Sequence, residues 1–251
     1  MVERFFSTTA RSYPTDHNFG GSDRIELLSG PPSSGKTSLL FQFAFNAAFG
    51  SSDEVVFICN RRRLETKPPY LSQGIDPTSD VFQRIQVKYV DDDEGISKYF
   101  AAFHLHGKFP VTVIVDDFGD LFDERSCQER YSNPRGRDLA IVRTLALCQN
   151  AIMHANETGP CKLLLSDTYH GDSTRWLYIY KRWVSSIYII RSMFVRGDGV
   201  GSFLLKNNIY RHNAGLESEK VRTAKYSIAL QYLVLEGISE EVNCCSVVKA
   251  H

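Results

Sequence analysis

One stretch of the chain has the residue types and spacing of a phosphate-binding loop, G-x-x-x-x-G-K-T, in Gly30-Pro31-Pro32-Ser33-Ser34-Gly35-Lys36-Thr37. Glycines let the backbone wrap closely around a phosphate, and N–H groups at a helix start point at it. The lysine of this pattern reaches the outer phosphates, and the next hydroxyl ligates Mg²⁺. We therefore expect these eight residues and Ser38 to bind nucleotide phosphates, with Lys36 as a catalytic residue and Thr37 as a metal ligand.

A second stretch supplies a carboxylate for the same site. The apolar run Val111–Val115 leads directly into Asp116 and Asp117, about 80 residues after the loop. The carboxyl ends of parallel strands meet at one edge of a sheet, which is where ligands bind. We therefore expect Asp116 beside Thr37, as a catalytic residue that holds Mg²⁺ through water. Asp117 is a second carboxylate at the same place.

Strands and helices alternate around these residues. Buried parallel strands are continuous apolar runs, and helices place apolar residues on one face. Strands are predicted at Arg24–Ser29, Val55–Cys59, Phe82–Tyr89, Val111–Val115, Lys162–Asp167, Ile187–Arg191, Gly201–Lys206 and Tyr226–Leu235. Helices are predicted from the loop to Phe49, and at Ile96–His106, Asp138–Asn156 and Arg175–Val184. This order predicts an α/β fold, a mostly parallel sheet flanked by helices, with antiparallel strands at the C-terminal end.

Two polar stretches separate these elements. The acidic run Asp91–Glu94 precedes a predicted helix, where acidic side chains are favoured by the helix dipole. It is interpreted as a solvated helix start and not as a metal cluster. The segment Asp123–Arg137 contains Pro134 and Gly136 and is predicted to be an irregular loop.

Composition limits the class of protein. The 251 residues, 43% hydrophobic and 23% charged, suit one large domain with a substantial core. We expect a flexible arm over residues 1–22, the domain over 23–240 and a tail over 241–251. The sequence has neither an apolar run of the roughly 18–20 residues that span a membrane nor a signal peptide's apolar segment, so no membrane partner is expected. Six cysteines without a C-x-x-C pattern are typical of a reducing compartment, cytosol or nucleus.

The net charge is zero, but the charges are unevenly distributed along the chain. Residues 51–124 contain 14 acidic and 8 basic side chains, whereas residues 125–225 contain 16 basic and 8 acidic ones. A basic half suggests an anionic partner such as nucleic acid. Intermixing of the two halves on the folded surface is the alternative.

The order of motifs distinguishes between classes of P-loop protein. The chain has no N-K-x-D tetrapeptide, the guanine-binding element of Ras-type proteins. A small-molecule kinase usually has an arginine-rich lid, and Arg61–Arg63 could serve, so that class stays open. The order of P-loop, Walker B strand (Val111–Val115), loop, helix, sensor strand (Lys162–Asp167), second loop and further strands resembles a RecA-like core throughout. That resemblance implies ATP and Mg²⁺ as cofactors.

In RecA-like ATPases the loops after the Walker B and sensor strands face DNA, and here they correspond to residues 123–138 and 167–183. Both loops lie in the basic half. The resemblance implies DNA contacts by Arg130, Arg135, Arg137 and Arg175. Single-stranded DNA needs cations for its backbone and flat rings for its bases. Three aromatic residues of the second loop either supply those rings or form the core face of one helix: Trp176, Tyr180 and Trp183.

More specifically, the chain resembles the ATPase subunit of Shu complexes, a RecA-like recombinase paralogue that pairs with a SWIM-type zinc-finger protein. The resemblance covers roughly residues 25–190 and rests on Gly35–Phe41, Arg61–Leu64, Ile75-Asp76-Pro77, Arg84–Tyr89 and Ser166-Asp167-Thr168. It implies a nuclear accessory factor of homologous recombination and double-strand break repair. Such a factor binds ATP, single-stranded DNA, the SWIM protein, the recombinase and its paralogues, and supports assembly of the recombinase filament.

Two departures from the family pattern concern turnover. Recombinases place a water-activating glutamate after the second strand, where this chain has Asn60-Arg61-Arg62. They usually place glutamine at the sensor position, which is Asp167 here. Mg²⁺ and a P-loop bind nucleotide without positioning water, so slow ATP hydrolysis at best is expected. A nucleotide-stabilised scaffold without significant turnover is the alternative.

Overall fold

The computed structural model describes residues 2–6, 25–123, 125–131, 133–169, 176–193, 201–209 and 220–242. Within these residues the strands are β1 Ile25–Gly30, β2 Val55–Cys59, β3 Ile85–Tyr89, β4 Thr112–Val115, β5 Lys162–Thr168, β6 Ser186–Met193, β7 Ser202–Ile209, β8 Lys220–Ala229 and β9 Tyr232–Val242. The α-helices are α1 Lys36–Phe49, α2 Arg61–Thr66, α3 Asp93–Ala101, α4 Arg125–Arg130, α5 Pro134–Ala155 and α6 Leu177–Tyr180. Short 3₁₀ helices span Val2–Phe5, Asp80–Arg84, Phe103–Leu105 and Phe118–Phe122. None of the helices in this part of the chain is long and apolar enough to cross a membrane.

All nine strands belong to one sheet in the order β3-β2-β4-β5-β1-β6-β7-β8-β9. Strands β3 to β6 in this order are parallel, and β7, β8 and β9 extend the sheet in antiparallel fashion. Every residue of β1, β2 and β4 is buried, as expected of parallel strands covered on both faces. The predicted α/β fold, mostly parallel with antiparallel C-terminal strands and flanking helices, is confirmed.

Helices cover both faces of the sheet and create two hydrophobic cores. Successive strand residues point to opposite faces, so Leu27 of β1 lies in the core beneath α3 and α5, and Leu28 lies in the core beneath α1. The α1 core also includes Tyr226 and Leu233 from the antiparallel extension. The last strands therefore fold over the same helix that follows the phosphate loop.

The predicted flexible arm is wrong for its first residues. Phe5 and Phe6 are fully buried, and the ring of Phe5 lies 5.2 Å from Phe43 and 4.9 Å from Tyr188 between centroids. The Asn46 amide in α1 donates hydrogen bonds of 3.0 Å to the carbonyl oxygens of both Arg4 and Phe6. Burial of two aromatic rings outweighs the entropy of a free chain end, so residues 2–6 belong to the core. The rest of the predicted arm, residues 7–22, and residues 243–251 of the predicted tail lie outside the described residues.

Element boundaries differ from prediction in several places. The predicted strand Tyr226–Leu235 is a hairpin of β8 and β9 that turns at Leu230 and Gln231. The predicted strand Phe82–Tyr89 begins only at Ile85, and the predicted helix Ile96–His106 spans Asp93–Ala101 instead.

The segment Asp123–Arg137 is not an irregular loop throughout, because it contains α4 and the first turn of α5. The predicted helix Arg175–Val184 is shorter, with α6 covering only Leu177–Tyr180. Helix α5 begins at Pro134 because Asn133 caps it, with the Asn133 side chain accepting a 2.7 Å hydrogen bond from the Gly136 N–H.

The acidic run at the start of α3 is only partly solvated. The Asp92 carboxylate caps the helix by accepting a 2.9 Å hydrogen bond from the Gly95 N–H. Asp93, however, is buried and forms an ion pair with Arg130 of α4. The interpretation of a solvated start is therefore wrong for Asp93, whose charge is matched by a neighbouring helix.

Candidate functional site

The phosphate loop joins β1 to α1 and has a backbone shape that requires glycine. Gly35 has a φ of 80°, in the left-handed region that residues with a Cβ rarely adopt. A Cβ atom on Gly35 would also collide with the side chain of Ile228, and one on Gly30 would lie 2.9 Å from the side chain of Ile190. Backbone conformation and close neighbours therefore both exclude larger residues here.

Lys36 begins α1 and folds its side chain back over the loop. Its Nζ atom lies 3.3 Å from the Pro31 carbonyl oxygen and 3.5 Å from that of Gly30. Asp117 Oδ1, the nearest carboxylate oxygen in the described part of the chain, is 4.0 Å away, the outer limit of an ion pair. Only 7% of the Lys36 side chain is exposed. A buried ammonium with three donors and no closer carboxylate among the described residues favours an anionic ligand.

Asp116 follows β4, and hydroxyl groups from two other elements hold its carboxylate. Thr37 Oγ1 donates a 2.7 Å hydrogen bond to Oδ2, and Ser166 Oγ of β5 donates a 2.8 Å bond to Oδ1. Burial, and then the charge of Asp117, raise the pKa of Asp116 above its usual range. A divalent cation at this position would offset both effects, because it stabilises the ionised carboxylate.

The donor set fits Mg²⁺ and nucleotide phosphates. Mg²⁺ prefers hard oxygen ligands and retains waters and phosphate oxygens, so Thr37 and Asp116 are a sufficient protein contribution. Ser34 Oγ is buried at the loop and has no hydrogen-bond partner among the described residues. Ser34, Lys36 and the N–H groups of the loop would therefore hold phosphates, and Thr37 and Asp116 would hold the metal. A bound Mg²⁺ supplies neutralisation of phosphate charge.

Ser38 and the loop tip are placed differently from the other predicted phosphate ligands. The Ser38 hydroxyl accepts a 2.9 Å hydrogen bond from the backbone N–H of Tyr70, so its side chain holds the segment after α2. Pro32 and Ser33 are exposed at the tip of the loop, where Ser33 has a φ of 59°.

A second carboxylate, Asp117, lies beside Lys36 in an unusual backbone conformation. Its φ of 49° is left-handed, a region that aspartate tolerates better than most residues. Asp117 Oδ1 accepts a 2.9 Å hydrogen bond from Thr168 Oγ1, and Oδ2 lies 3.4 Å from Nη1 of Arg63. The same guanidinium forms an ion pair with Asp120. Arg63 of α2 is thereby brought to the edge of the phosphate loop.

Asp167, the predicted sensor residue, is buried. It pairs with Ser29 in the register of β5 and β1, and its Oδ2 atom has no hydrogen-bond partner among the described residues. Burial raises the pKa of Asp167 to about 7, and the charges of nearby carboxylates such as Asp120 add to this. The nearby Tyr180 hydroxyl opposes the shift but lies outside hydrogen-bond geometry. A carboxyl group in this environment favours its neutral form below about pH 7.

Strand β8 contributes to the loop, which sequence reasoning did not anticipate. The hydroxyl of Tyr226 donates a 2.7 Å hydrogen bond to the Ser34 carbonyl oxygen, and Ile228 packs against Gly35. The alternating apolar residues of β8 predict a buried face, but no local pattern indicates which element that face covers. These two contacts depend on the packing of β8 against a loop that is distant in the chain.

The arginines predicted to contact DNA have different environments. Arg130 forms ion pairs with three acidic residues at the start of α3, Asp92, Asp93 and Glu94. Arg137 lies 3.2 Å from Asp123 and is mostly buried. Arg135 is exposed in the first turn of α5 and forms no ion pair with any other described residue. Arg175 lies outside the described residues.

The aromatic residues of the second loop belong to the core. Trp176 and Tyr180 are buried, and Trp183 packs against the same cluster. Trp176 Nε1 donates a 3.0 Å hydrogen bond to the Asp138 carboxylate, which satisfies its polar edge. Of the two predicted roles for these rings, the structure supports packing in the core, and only Tyr180 of the three lies within α6.

A scan against protein-family models and a search of the curated proteins found no match to this chain. The functional assignment therefore rests on the geometry of the loop and the sheet edge.

Proposed function

We propose that this protein binds ATP and Mg²⁺ at the edge of its sheet where β1, β4 and β5 end. The observation that supports this most strongly is the 2.7 Å hydrogen bond between Thr37 and Asp116, residues 79 positions apart. It joins the hydroxyl of the phosphate loop to a carboxylate at the end of a neighbouring parallel strand. Lys36, on the same turn of α1, supplies the charge for the phosphates.

The order of the sheet favours a RecA-like core. Strand β5 lies between β1 and β4, so the strand after the Walker B strand is inserted next to the phosphate loop. Ser166 of that strand contacts Asp116, as expected if β5 serves as a sensor strand. A small-molecule kinase has less support, because Arg61 of the candidate lid lies over the ring of Tyr89, 4.4 Å from its centroid.

The residue that follows β2 is consistent with slow ATP hydrolysis. Asn60 follows this strand, and its side chain accepts a 3.3 Å hydrogen bond from the Arg63 N–H and donates a 3.3 Å bond to Asp91. An amide cannot act as the general base that takes a proton from water. The Thr168 hydroxyl donates a hydrogen bond to Asp117, which holds that carboxylate and leaves it poorly suited to the same task.

The broader role we propose is that of a nuclear accessory factor in homologous recombination and double-strand break repair. It would bind single-stranded DNA and a SWIM-type partner, and help the recombinase and its paralogues to assemble filaments. Support comes from the motif order, from the Shu-like segments and from the exposure of Arg135. The alternative is a scaffold that ATP stabilises without turnover. It is favoured by the hydrogen bond from Tyr226 to Ser34, which couples the loop to the antiparallel strands.

Nucleotide titration with the Lys36→Ala variant tests the proposal. We expect the unaltered protein to bind ATP in the presence of Mg²⁺, and the variant to bind at least about 100-fold more weakly, since a buried phosphate–lysine pair is lost. Equal binding by both proteins would contradict the proposed ATP site.

Pull-down of a SWIM-domain protein then separates the accessory factor that turns over ATP from the scaffold that ATP only stabilises. If Lys36→Ala loses both ATP binding and partner binding, the scaffold role is favoured. If the variant keeps its partner but no longer supports repair, a role for ATP turnover is favoured.

A further inference from the structure

We propose that Arg63 binds the third phosphate of the nucleotide, and that the Asp117 carboxylate takes the place of that phosphate in the nucleotide-free protein. This inference rests on the proposed ATP site and adds selectivity for ATP over ADP to it.

The backbone and side chain of Arg63 are both fixed toward the loop. Its N–H donates to the Asn60 side chain, which caps α2. Its guanidinium lies 3.4 Å from Asp117 Oδ2 and forms an ion pair with Asp120. The side chain is 47% exposed, so an anion can reach it from solvent.

Asp117 stands between two cations. One carboxylate oxygen lies 4.0 Å from Lys36 Nζ, and the other lies 3.4 Å from Arg63 Nη1. A phosphoryl group is also anionic and has a slightly wider spacing of oxygens, so it can span the same gap. Arginine in particular matches phosphate oxygens with two parallel N–H groups. A nucleotide that places its outermost phosphate near Lys36 therefore competes with Asp117 for both cations.

Neighbouring groups allow this exchange to occur. The Thr168 hydroxyl donates to Asp117 Oδ1 and would keep one hydrogen bond to the carboxylate after the cations turn to phosphate. Asp120 retains an ion pair with Arg63 and keeps the guanidinium near the loop. Because Lys36 contacts the outer phosphates, ADP bound at the loop lacks the group that would reach Arg63.

The other two arginines of the same helix are placed differently. Arg61 lies over the ring of Tyr89, 4.4 Å from its centroid. Arg62 is exposed and forms no ion pair with any other described residue. Arg62 is therefore a matched control for the charge and position of Arg63 on α2.

Equilibrium titration of the full chain with Mg²⁺ and either a non-hydrolysable ATP analogue or ADP tests the proposal. For Arg63→Ala we expect affinity for the analogue to fall about tenfold, as for one charge-assisted phosphate contact, with ADP affinity unchanged. The affinity of Arg63→Lys for the analogue should lie between those of the unaltered protein and Arg63→Ala, because lysine keeps the charge and loses the paired N–H groups. Arg62→Ala should match the unaltered protein for both nucleotides. Asp117→Asn should bind the analogue more tightly, since the competing charge is gone.

The outcomes separate this inference from the ATP site itself. If the unaltered protein binds neither nucleotide, both proposals are overturned. If it binds both nucleotides and Arg63→Ala changes neither affinity, or weakens both equally, the role of Arg63 alone is overturned. Weaker binding of the analogue by Asp117→Asn would overturn the competing role of that carboxylate. Thermal unfolding of each variant shows whether a changed affinity reflects a changed fold.

Discussion

The hydroxyl of Tyr226 donates a 2.7 Å hydrogen bond to the carbonyl oxygen of Ser34, 192 residues earlier in the chain. The phosphate loop is therefore held on one side by the parallel strands and on the other by β8. Both partners are buried, so the bond is protected from competition by water. The antiparallel extension is thus a structural part of the proposed nucleotide site.

Loss of this bond should weaken both the fold and the site. Tyr226→Phe removes the donor and leaves the Ser34 carbonyl without it, so we expect the free energy of unfolding to fall by about 1–2 kcal/mol. ATP affinity should also fall, because the loop loses a fixed contact. Urea unfolding and nucleotide titration measure the two effects. Tyr232→Phe, at a residue 44% exposed in β9, is the control and should change neither quantity.

A glycine pair separates backbone strain from steric contact. Gly35 and Gly74 both have left-handed φ values, 80° and 89°, but only Gly35 has a neighbour, Ile228, where a Cβ would stand. Gly74→Ala should cost about 1 kcal/mol from backbone strain alone, and Gly35→Ala should cost clearly more in urea unfolding. The double variant with Ile228→Ala should lose less than the sum of its parts. Equal losses for the two single variants would show that the Ile228 contact is unimportant.

Asp167 should make stability depend on pH. Burial raises its folded pKa to about 7, from an ordinary value of 3.8, so the folded protein binds more protons than the unfolded chain between these values. Stability should therefore fall as pH rises from about 4 to 7, and stay low above 7. Asp167→Asn removes the buried charge and should be more stable than the unaltered protein at pH 8, by roughly 1–4 kcal/mol. The difference should shrink by pH 5 in urea unfolding, and a less stable variant at pH 8 would contradict the assignment.

Arg135 is the described arginine best placed to test DNA binding. Arg135→Glu should weaken binding of single-stranded DNA and lower the slope of log affinity against log salt by about one or more, because a phosphate contact is lost. Fluorescence anisotropy over a salt series measures this slope. Lys108→Glu is a suitable control, since Lys108 is 74% exposed and precedes β4 at the opposite edge of the sheet. Equal slopes for the two variants would remove Arg135 from the DNA interface.

The phosphate loop, the α/β order and the pairing of Thr37 with Asp116 could all be anticipated from the sequence. Each depends on a local pattern, a glycine-bounded loop or an apolar run that ends in aspartate. The rule that parallel strands end at one sheet edge then brings such patterns together. The boundary of α5 was also signalled locally, by Asn133 and Pro134, but the polar composition of the segment suggested a loop instead.

The partners of charged and aromatic side chains were decided only by the tertiary structure. The position of Arg130 after the Walker B strand suggested a contact with DNA. In the structure Arg130 neutralises Asp93 instead, because α4 lies against the start of α3. Phe5 lies in a stretch without periodicity, and only the finished α1 core offers a site that buries its ring. Arg63 and Tyr226 reach the phosphate loop from distant segments. The packing of α2 and β8 in the folded protein sets these distances, and no run of neighbouring residues encodes them. The sequence alone thus determined the loop and the carboxylate of Asp116 beside it, and the fold decided which other groups surround them.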